Sequence, residues 1–436
     1  MKINQFSLTP ILASFIILGG CGGSSGDSKE NEITTPTVNS QPTLTVNVKK
    51  RTKCGVVDYS DAAILLHDEN GQVISTHSSD SAGYFSQQIP EGAKHASIIG
   101  IESFDGLEKT QKIYTKLDIS DGADFADIEF QDQSAYCTCK DVNVDLSALK
   151  VTHSDYRIIR EGDTGGVTIN EYQDSVRVCG NDEKLYYSIN QPGYELYTLA
   201  KVDVPEEVNS ISVNGGDFVH QSEDIEISQL EQQSRVHVNG IDESGKTVFR
   251  NFDFFNGAAK LKMYPTGFDH HELYYYKSML FGYEGLSLII SNGLALKFEQ
   301  TDQVSDLILP NAPTELAQQL SAGISSVHQG DIISYDFSGL DTRIQTAEWE
   351  FSFDTNKLPI KWHVSGALVS EFPIFSFGDE VALSKESEPV HSRVLLSGYD
   401  GAPAQLSEYR RYVYQHHDKQ ALNHNVYIYL STTTDY

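Results

Sequence analysis

The chain has 436 residues, of which 39% are apolar, so it is long enough for several domains with hydrophobic cores. It carries 61 Asp and Glu against 32 Lys and Arg, a formal net charge of −29. This charge favours solubility and argues against nucleic acid and anionic lipid as partners, because both would be repelled. Tyr and Phe are frequent, and apolar residues tend to alternate with polar ones, which favours β-strands.

An apolar run of about 11 residues, Leu8 to Leu18, lies near the start of the chain and ends in Leu18-Gly19-Gly20-Cys21. It is too short to cross a hydrocarbon core of ~30 Å as a helix, so residues 1–20 are predicted to be a signal peptide. The junction resembles the lipobox of bacterial lipoproteins. That resemblance implies a mature chain beginning at a diacylated and amino-acylated Cys21, with the membrane as its partner. Gly22 stands where Asp would favour inner-membrane retention, so we expect the outer membrane, with the side of exposure left open.

The segment that follows Cys21 is rich in Gly, Ser, Asn and acidic residues and contains no aromatic residue. It cannot bury enough apolar surface to offset the entropy of ordering. Residues 21–42 are therefore predicted to be a lipidated, disordered linker. A flexible coil of ~20 residues would hold the folded part on the order of 25 Å from the lipid.

Residues 43–133 are predicted to form one small β domain. The run from Ala63 to Ile74 reads as a strand, an Asn70-Gly71 turn and a second strand, a strong hairpin signal. The turn at Asp80-Ser81-Ala82-Gly83, the strand Tyr84-Phe85 and a Pro-x-Gly turn follow. This order resembles the carboxypeptidase regulatory-like family of Ig-like or transthyretin-like β-sandwiches, which implies a non-catalytic spacer, stability or binding module. Asp80 is expected to brace the turn before Gly83; a calcium site at Asp68, Asn70 and Asp80 lacks the full spacing for that ion.

Besides Cys21 there are four cysteines, Cys54, Cys137, Cys139 and Cys179. In an exported protein an even number of thiols predicts two disulfides. Cys137 and Cys139 are two residues apart, so on a strand they share one face and would reach other partners more readily than each other. We expect Cys54 to bond one of them and Cys179 the other. A C-x-C metal site is the alternative, but the C-x-x-C spacing and the neighbouring His of a zinc site are absent.

Two further regions are predicted. Residues 134–310 contain several short alternating or β-branched runs separated by glycine turns and are expected to form one or two small β domains. Thr314 to Ala322 is predicted to be a short helix that Gly323 ends. Residues 311–436 are expected to form a C-terminal β-sandwich, in which Tyr409, Tyr412 and Tyr414 lie on a strand. The predicted fold class is thus all-β, with tandem β-sandwich domains after the disordered linker.

Sequence motifs that are typical of catalytic sites give little support to an enzymatic function. Gly240 to Thr247 matches the P-loop pattern by letter, but a strand follows where a helix should begin, so we interpret it as a hairpin turn. The Gly-x-Ser-x-Gly pattern occurs only within the linker, and His-Glu-x-x-His is absent. His270-His271 and the set His416, His417 and His424 are interpreted as solvated loop histidines and not as metal ligands, because adjacent residues on a strand point to opposite faces and could not readily chelate one ion. No catalytic residue, metal or cofactor is predicted.

Aromatic clusters remain as candidate binding residues. Tyr274, Tyr275, Tyr276 and Tyr283 are close together in the sequence, and on a strand alternate rings face opposite sides, so some are expected to be exposed. They could present rings to an envelope protein or a glycan, although core filling is the simpler role. The sequence therefore favours a lipid-anchored, non-catalytic binding or scaffolding module. The alternative is a surface glycan or peptide hydrolase with its site in residues 140–436.

Overall fold

The computed structural model describes residues 42–104, 109–119, 122–133, 138–162, 165–180, 184–191, 197–228, 230–254, 258–283, 286–300, 304, 307–381, 383, 387–416 and 424–432. Its central layer is a sheet of 12 strands. In spatial order these strands are β19 (Thr247–Phe254), β18 (Ser234–Ile241), β21 (His270–Tyr283), β22 (Leu286–Phe298), β28 (His424–Thr432), β27 (Pro389–Tyr399), β24 (Thr346–Phe353), β25 (Ile360–Gly366), β7 (Thr110–Lys116), β6 (His95–Glu102), β3 (Ala63–His67) and β4 (Val73–Ser78). Strands from 43–133, 134–310 and 311–436 share this layer, and the domain boundaries at 133 and 310 stay a prediction.

One face of the 12-stranded sheet, the core face, packs against the largest hydrophobic core. Trp349 of β24 and Trp362 of β25 are fully buried there, with Leu273 and Ile428 from neighbouring strands. The helix α2 (Leu316–Gln329) and the two-stranded antiparallel sheet of β23 (Ile333–Asp336) and β26 (Val369–Phe372) also contribute buried residues to this core. Burial of these large side chains stabilises the fold by ~25 cal/mol for each Å² of apolar surface removed from water.

The opposite face of the sheet, the outer face, is covered at one end by a second, smaller sheet. That sheet consists of β1 (Thr43–Thr52), β2 (Gly55–Asp58), β5 (Tyr84–Gln88) and β8 (Ala123–Gln131). Leu44, Val46 and Val48 alternate along β1 and pack against Ile64 of β3 and Ile98 of β6. This packing of two sheets confirms the predicted all-β class with β-sandwich architecture.

The turns predicted for the first region are present. The strands β3 and β4 form the expected hairpin, and Gly71 has a positive φ of 74°. The Asp80 carboxylate accepts hydrogen bonds of 2.9 Å from the backbone N–H groups of Ala82 and Tyr84, so it braces the turn. Gly83 also has a positive φ, and a Cβ there would lie 2.2 Å from the carbonyl oxygen of Val48. Only glycine fits this close approach of two backbones.

A third group of strands packs around its own core. Two sheets form it, with β12 (Gln173–Cys179), β9 (Cys139–Asp145) and β15 (Ser210–Ser212) in one, and β11 (Val167–Ile169), β10 (Arg157–Arg160), β13 (Lys184–Asn190), β14 (Tyr197–Asp203) and β16 (His220–Gln221) in the other. A short helix, α1 (Leu149–Thr152), adds Leu149 to that core. The ribbon of β17 (Glu223–Ser228) and β20 (Ala258–Met263) continues the chain toward the central sheet.

A disulfide bond joins Cys139 and Cys179, which are direct cross-strand partners on β9 and β12. The predicted pairing of Cys179 with one member of the C-x-C pair is therefore confirmed. Cys54 is also disulfide-bonded, and its sulfur lies 3.9 Å from the carbonyl oxygen of Thr138. Cys137 lies outside the described residues, so the expectation for its pairing stays a prediction.

Two predictions of secondary structure near the end of the chain are wrong. The helix α2 continues through Gly323 and ends at Gly330, which has the left-handed φ of 67° typical of a helix C-terminus. Tyr409 and Tyr412 lie on a helix, α3 (Leu406–His416), where we expected a strand. The Arg410 side chain of α3 donates hydrogen bonds to the carbonyl oxygens of Leu117 and Ser365, so contacts distant in sequence hold this segment in place.

A substitution at Gly323 tests how tightly α2 packs against the core. A Cβ at this position would lie 2.4 Å from the Trp349 ring. Gly323→Ala should therefore lower the free energy of unfolding by ~1–3 kcal/mol through overpacking, although alanine favours helices. Urea unfolding measures the change. The control is Ser325→Ala on the exposed side of α2, for which we expect a change within about 0.5 kcal/mol. Unchanged or increased stability of Gly323→Ala would contradict the packing described.

A buried histidine makes stability depend on pH. The His67 ring shares a 2.9 Å hydrogen bond with the Ser97 hydroxyl, and burial, together with the nearby His95, lowers the pKa of His67 to about 4. His67 binds a proton more readily in the unfolded chain than in the folded one. The contribution of neutral His67 to stability is therefore fully present above pH ~6.5 and is lost as pH falls toward 4. The loss is roughly 3 kcal/mol at most.

The measurement compares the free energy of unfolding at pH 7 and at pH 4.5. His67→Gln should reduce the difference between these two values. The control is His77→Gln on β4, where the ring is bonded to Ser75 on its own strand; this variant should keep the wild-type difference. An identical pH dependence in His67→Gln and the wild type would show that another group is responsible.

Candidate ligand-binding face

The predicted signal peptide, Cys21 and the linker up to residue 41 lie outside the described residues. The support for a lipid anchor therefore comes from the sequence alone. Of the helices within the described ranges, none is long and apolar enough to cross a membrane.

The four tyrosines named from the sequence all lie on β21, and the alternation of the strand separates them. Tyr275 is buried on the core face, where its hydroxyl accepts a 2.8 Å hydrogen bond from the backbone N–H of Glu231. Tyr283 also packs against the main core. Tyr274 and Tyr276 are partly exposed on the outer face. The structure thus leaves two of the four rings on a surface that a ligand can reach.

Neighbouring strands place further rings beside Tyr274 and Tyr276. His237 of β18 is the cross-strand partner of both Tyr274 and Phe252, and its ring stacks on Tyr274 with centroids 4.8 Å apart. Phe252 of the edge strand β19 lies 5.3 Å from His237 and is 48% exposed. The two strand pairings therefore align Phe252, His237 and Tyr274 in a row.

A glycine extends this row onto β22 and β28. Gly293 is the cross-strand partner of Tyr276 on one side and of Tyr427 on the other. The Tyr427 ring lies across Gly293, because a Cβ there would be 2.3 Å from its phenol oxygen. We call the surface formed by His237, Phe252, Tyr274, Tyr276 and Tyr427 the tyrosine face. It crosses five adjacent strands of the uncovered part of the sheet.

The groups on the tyrosine face are mostly neutral near pH 7. Burial, together with the Arg250 guanidinium, lowers the pKa of His237 to about 4. Burial and the neighbouring Tyr276 raise the pKa of Tyr427 to about 12. Burial and the Glu272 carboxylate raise the pKa of Tyr274, whose hydroxyl donates a 2.8 Å hydrogen bond to Glu272. The face therefore offers apolar rings with neutral hydroxyl groups, and Glu272 supplies a negative charge at its border.

The histidine pair next to this face is divided by the same alternation. The interpretation of this pair as solvated loop histidines is wrong for His271, which lies on β21 and is buried on the core face, where its Nε2 lies 3.3 Å from the backbone nitrogen of Tyr264. His270 lies on the other side and contacts Asp269 at 2.9 Å. In the part of the chain that the structure describes, no group of three His, Cys, Asp or Glu side chains is arranged to hold a metal ion. His417 lies outside the described residues, so the interpretation of the second histidine set stays a prediction.

The segment with P-loop letters is a hairpin turn, as we interpreted it. It connects β18 and β19, and the Asp242 carboxylate accepts hydrogen bonds from the backbone N–H groups of Ser244 and Lys246. Glu243 pairs with Lys184 and Lys201, and these two ammonium groups lower its pKa to about 2. The backbone N–H groups of this turn thus bind a side-chain carboxylate.

The sequence did not indicate three members of the tyrosine face. His237, Phe252 and Tyr427 are isolated in sequence from the tyrosine cluster, and only strand register places them beside it. One signal was available for Phe252: it is three residues from Phe249, which is buried, so on a strand the two rings face opposite sides. Nothing comparable singles out Tyr427.

Comparison with known proteins gives no family for this chain. No protein-family model matches it, and no curated protein matches it either. A solved structure with a match is the TIE protein of Bacillus anthracis, which is 13% identical, with a TM-score of 0.15. The match covers 54% of this chain and 44% of the TIE protein. A likeness of this size supports no conclusion about fold or function.

Proposed function

We propose that this protein is a non-catalytic binding module, lipid-anchored at the outer membrane through Cys21, and that it binds a glycan on the tyrosine face. The observation that carries the proposal is the set of partly exposed rings from four strands of one sheet, with Gly293 on a fifth strand between Tyr276 and Tyr427. A flat aromatic surface matches the apolar faces of sugar rings, and the phenol hydroxyls match their polar edges. The lipobox and the linker support presentation of this surface at a distance from the lipid.

The charge of the protein narrows the class of ligand. With a net charge of −29, the protein would repel polyanions at long range. His237 is neutral near pH 7, Glu272 supplies a negative charge at the border of the tyrosine face, and the Arg250 guanidinium lies 5.7 Å from the Phe252 ring centroid. Neutral or weakly charged polysaccharide therefore fits the surface better than phosphate-rich polymers.

Removal of exposed rings should weaken glycan binding. The variant Phe252→Ala/Tyr276→Ala should weaken binding to the wild type's best ligand on an array of envelope and neutral polysaccharides by at least about tenfold, because stacked aromatic surface is lost. The control is Tyr84→Ala, since Tyr84 is 43% exposed on β5 in the smaller sheet; it should bind like the wild type. Wild-type protein that retains no glycan, or a double variant that binds unchanged, would refute the proposal.

Anchoring is tested by a change at the lipobox. Cys21→Ala should release the protein from membranes. The lipid on Cys21 is the proposed attachment, and the sequence predicts no membrane-spanning segment that could replace it. Cell fractionation followed by sedimentation of outer-membrane vesicles measures the distribution. Ser25→Ala, four residues further on in the linker, serves as the control and should remain with the vesicles. Co-sedimentation of Cys21→Ala at the wild-type level would place the anchor elsewhere.

A further inference from the structure

A polar cleft lies apart from the rings of the tyrosine face, between the sheet of β10, β13 and β14 and the edge strand β19 with the nearby β20. Its volume is about 170 Å³, enough for one small molecule. Clefts between packed layers are common sites for small ligands. The polar side chains of its wall are Glu161, Tyr197, Arg250, Asn251, Lys262 and Tyr264.

A hydrogen-bonding end of the cleft is formed by Glu161. The buried Ser188 hydroxyl donates a hydrogen bond to this carboxyl group. Burial raises the pKa of Glu161 to about 7, so both its protonated and ionised forms are populated near neutrality. Tyr264 is also buried at this wall. A carboxyl group in this state can donate to or accept from ligand hydroxyl groups.

A cationic part of the wall is formed by Arg250 and Lys262. The Lys262 ammonium pairs with Asp224 at 2.5 Å, and Asp224 also pairs with Lys260 at 3.0 Å. Arg250 donates through Nε to the Asn239 side chain at 2.9 Å, and within the described residues it forms no ion pair. Arg250 thus lines the cleft with no carboxylate partner in the part of the chain that the structure describes, although the protein has a strongly negative net charge. A planar guanidinium suits bidentate binding of a carboxylate.

Aromatic surface lies between these polar groups. The Lys262 ammonium is 5.5 Å from the centroid of the Tyr197 ring, and the buried Phe249 also lines the cleft. A ligand that uses the whole wall needs one carboxylate, several hydroxyl groups and an apolar ring face. A phosphate dianion would lack the ring and face Glu161, while an amino acid would bring its ammonium group close to Arg250 or Lys262.

We infer that this cleft binds a uronic acid, with its carboxylate on Arg250 and Lys262 and its hydroxyl groups on Glu161. The inference does not depend on the tyrosine face, because the two surfaces use different rings. Arg250 borders both: its guanidinium carbon lies 5.7 Å from the Phe252 ring centroid. A glycan that carries a uronic acid can therefore reach the cleft from the border of the tyrosine face.

The test is isothermal titration of the purified full chain with methyl β-D-glucuronide, methyl β-D-glucoside and inorganic phosphate. The glucuronide should bind at least about tenfold more tightly than either of the others, because it alone supplies both the carboxylate and the sugar ring. Lys262→Gln should weaken glucuronide binding by at least about tenfold. Lys260→Gln is the matched control, since Lys260 pairs with the same Asp224 carboxylate but does not line the cleft; it should bind within about twofold of the wild type.

Three results would overturn the inference: no heat with glucuronide, tighter binding of glucoside or phosphate, or equal losses in Lys260→Gln and Lys262→Gln. Circular dichroism of both variants shows whether each is folded, and Lys260→Gln reports any general effect of leaving Asp224 with one partner. Tyr276→Ala should keep glucuronide binding unchanged. Loss of polysaccharide binding with retained glucuronide binding would therefore separate failure of the tyrosine face from failure of the cleft.

Discussion

The period-two alternation of side chains across the 12-stranded sheet is the constraint on which the rest of the structure depends. Trp349 and Trp362 are fully buried on the core face, so the residues directly before and after each of them on its strand must point to the outer face. A shift of register by one residue would expose both indoles and bury charged residues in their place. The core thus determines which side chains of β21, β22 and β28 are available to a ligand.

The outer face of the sheet is covered by other elements along only part of its length. At one end, β1 covers it and forms the smaller sandwich, which accounts for the complete burial of Ile64 and Ile98 on the outer side of β3 and β6. Farther along, α3 contacts β8, its Tyr409 ring stacks on Tyr399 of β27, and the Arg410 side chain donates hydrogen bonds to the carbonyl oxygens of Leu117 and Ser365. The strands beyond this helix carry the tyrosine face. Partial covering of one layer therefore creates an exposed surface on a rigid sheet.

Short stretches of sequence predicted the turns correctly, because the conformation of a turn depends mainly on its own residues. The Asn70-Gly71 turn and the Asp80 turn required only a positive φ and a nearby acceptor, and both were found. The two helix errors have a tertiary cause. Gly323 is needed in mid-helix because Trp349 occupies the space of its side chain, so its presence did not mark a helix end. The segment around Tyr409 is helical because it packs on β8 and β27, which no short window of sequence reveals.

The same distinction separates the members of the two candidate surfaces. Alternation along one strand was enough to place Tyr274 and Tyr276 on a common face, but pairing of separate strands was needed to add His237, Phe252 and Tyr427. The cleft depends on packing between layers, so its residues share no sequence pattern. Its charge is nonetheless informative. A protein with an excess of carboxylates has many potential partners for an arginine, yet the half-buried Arg250 forms no ion pair within the described residues and donates through Nε to Asn239. In the proposed complex, the carboxylate of the ligand would become the partner of this guanidinium, which links the choice of ligand to the packing of β19.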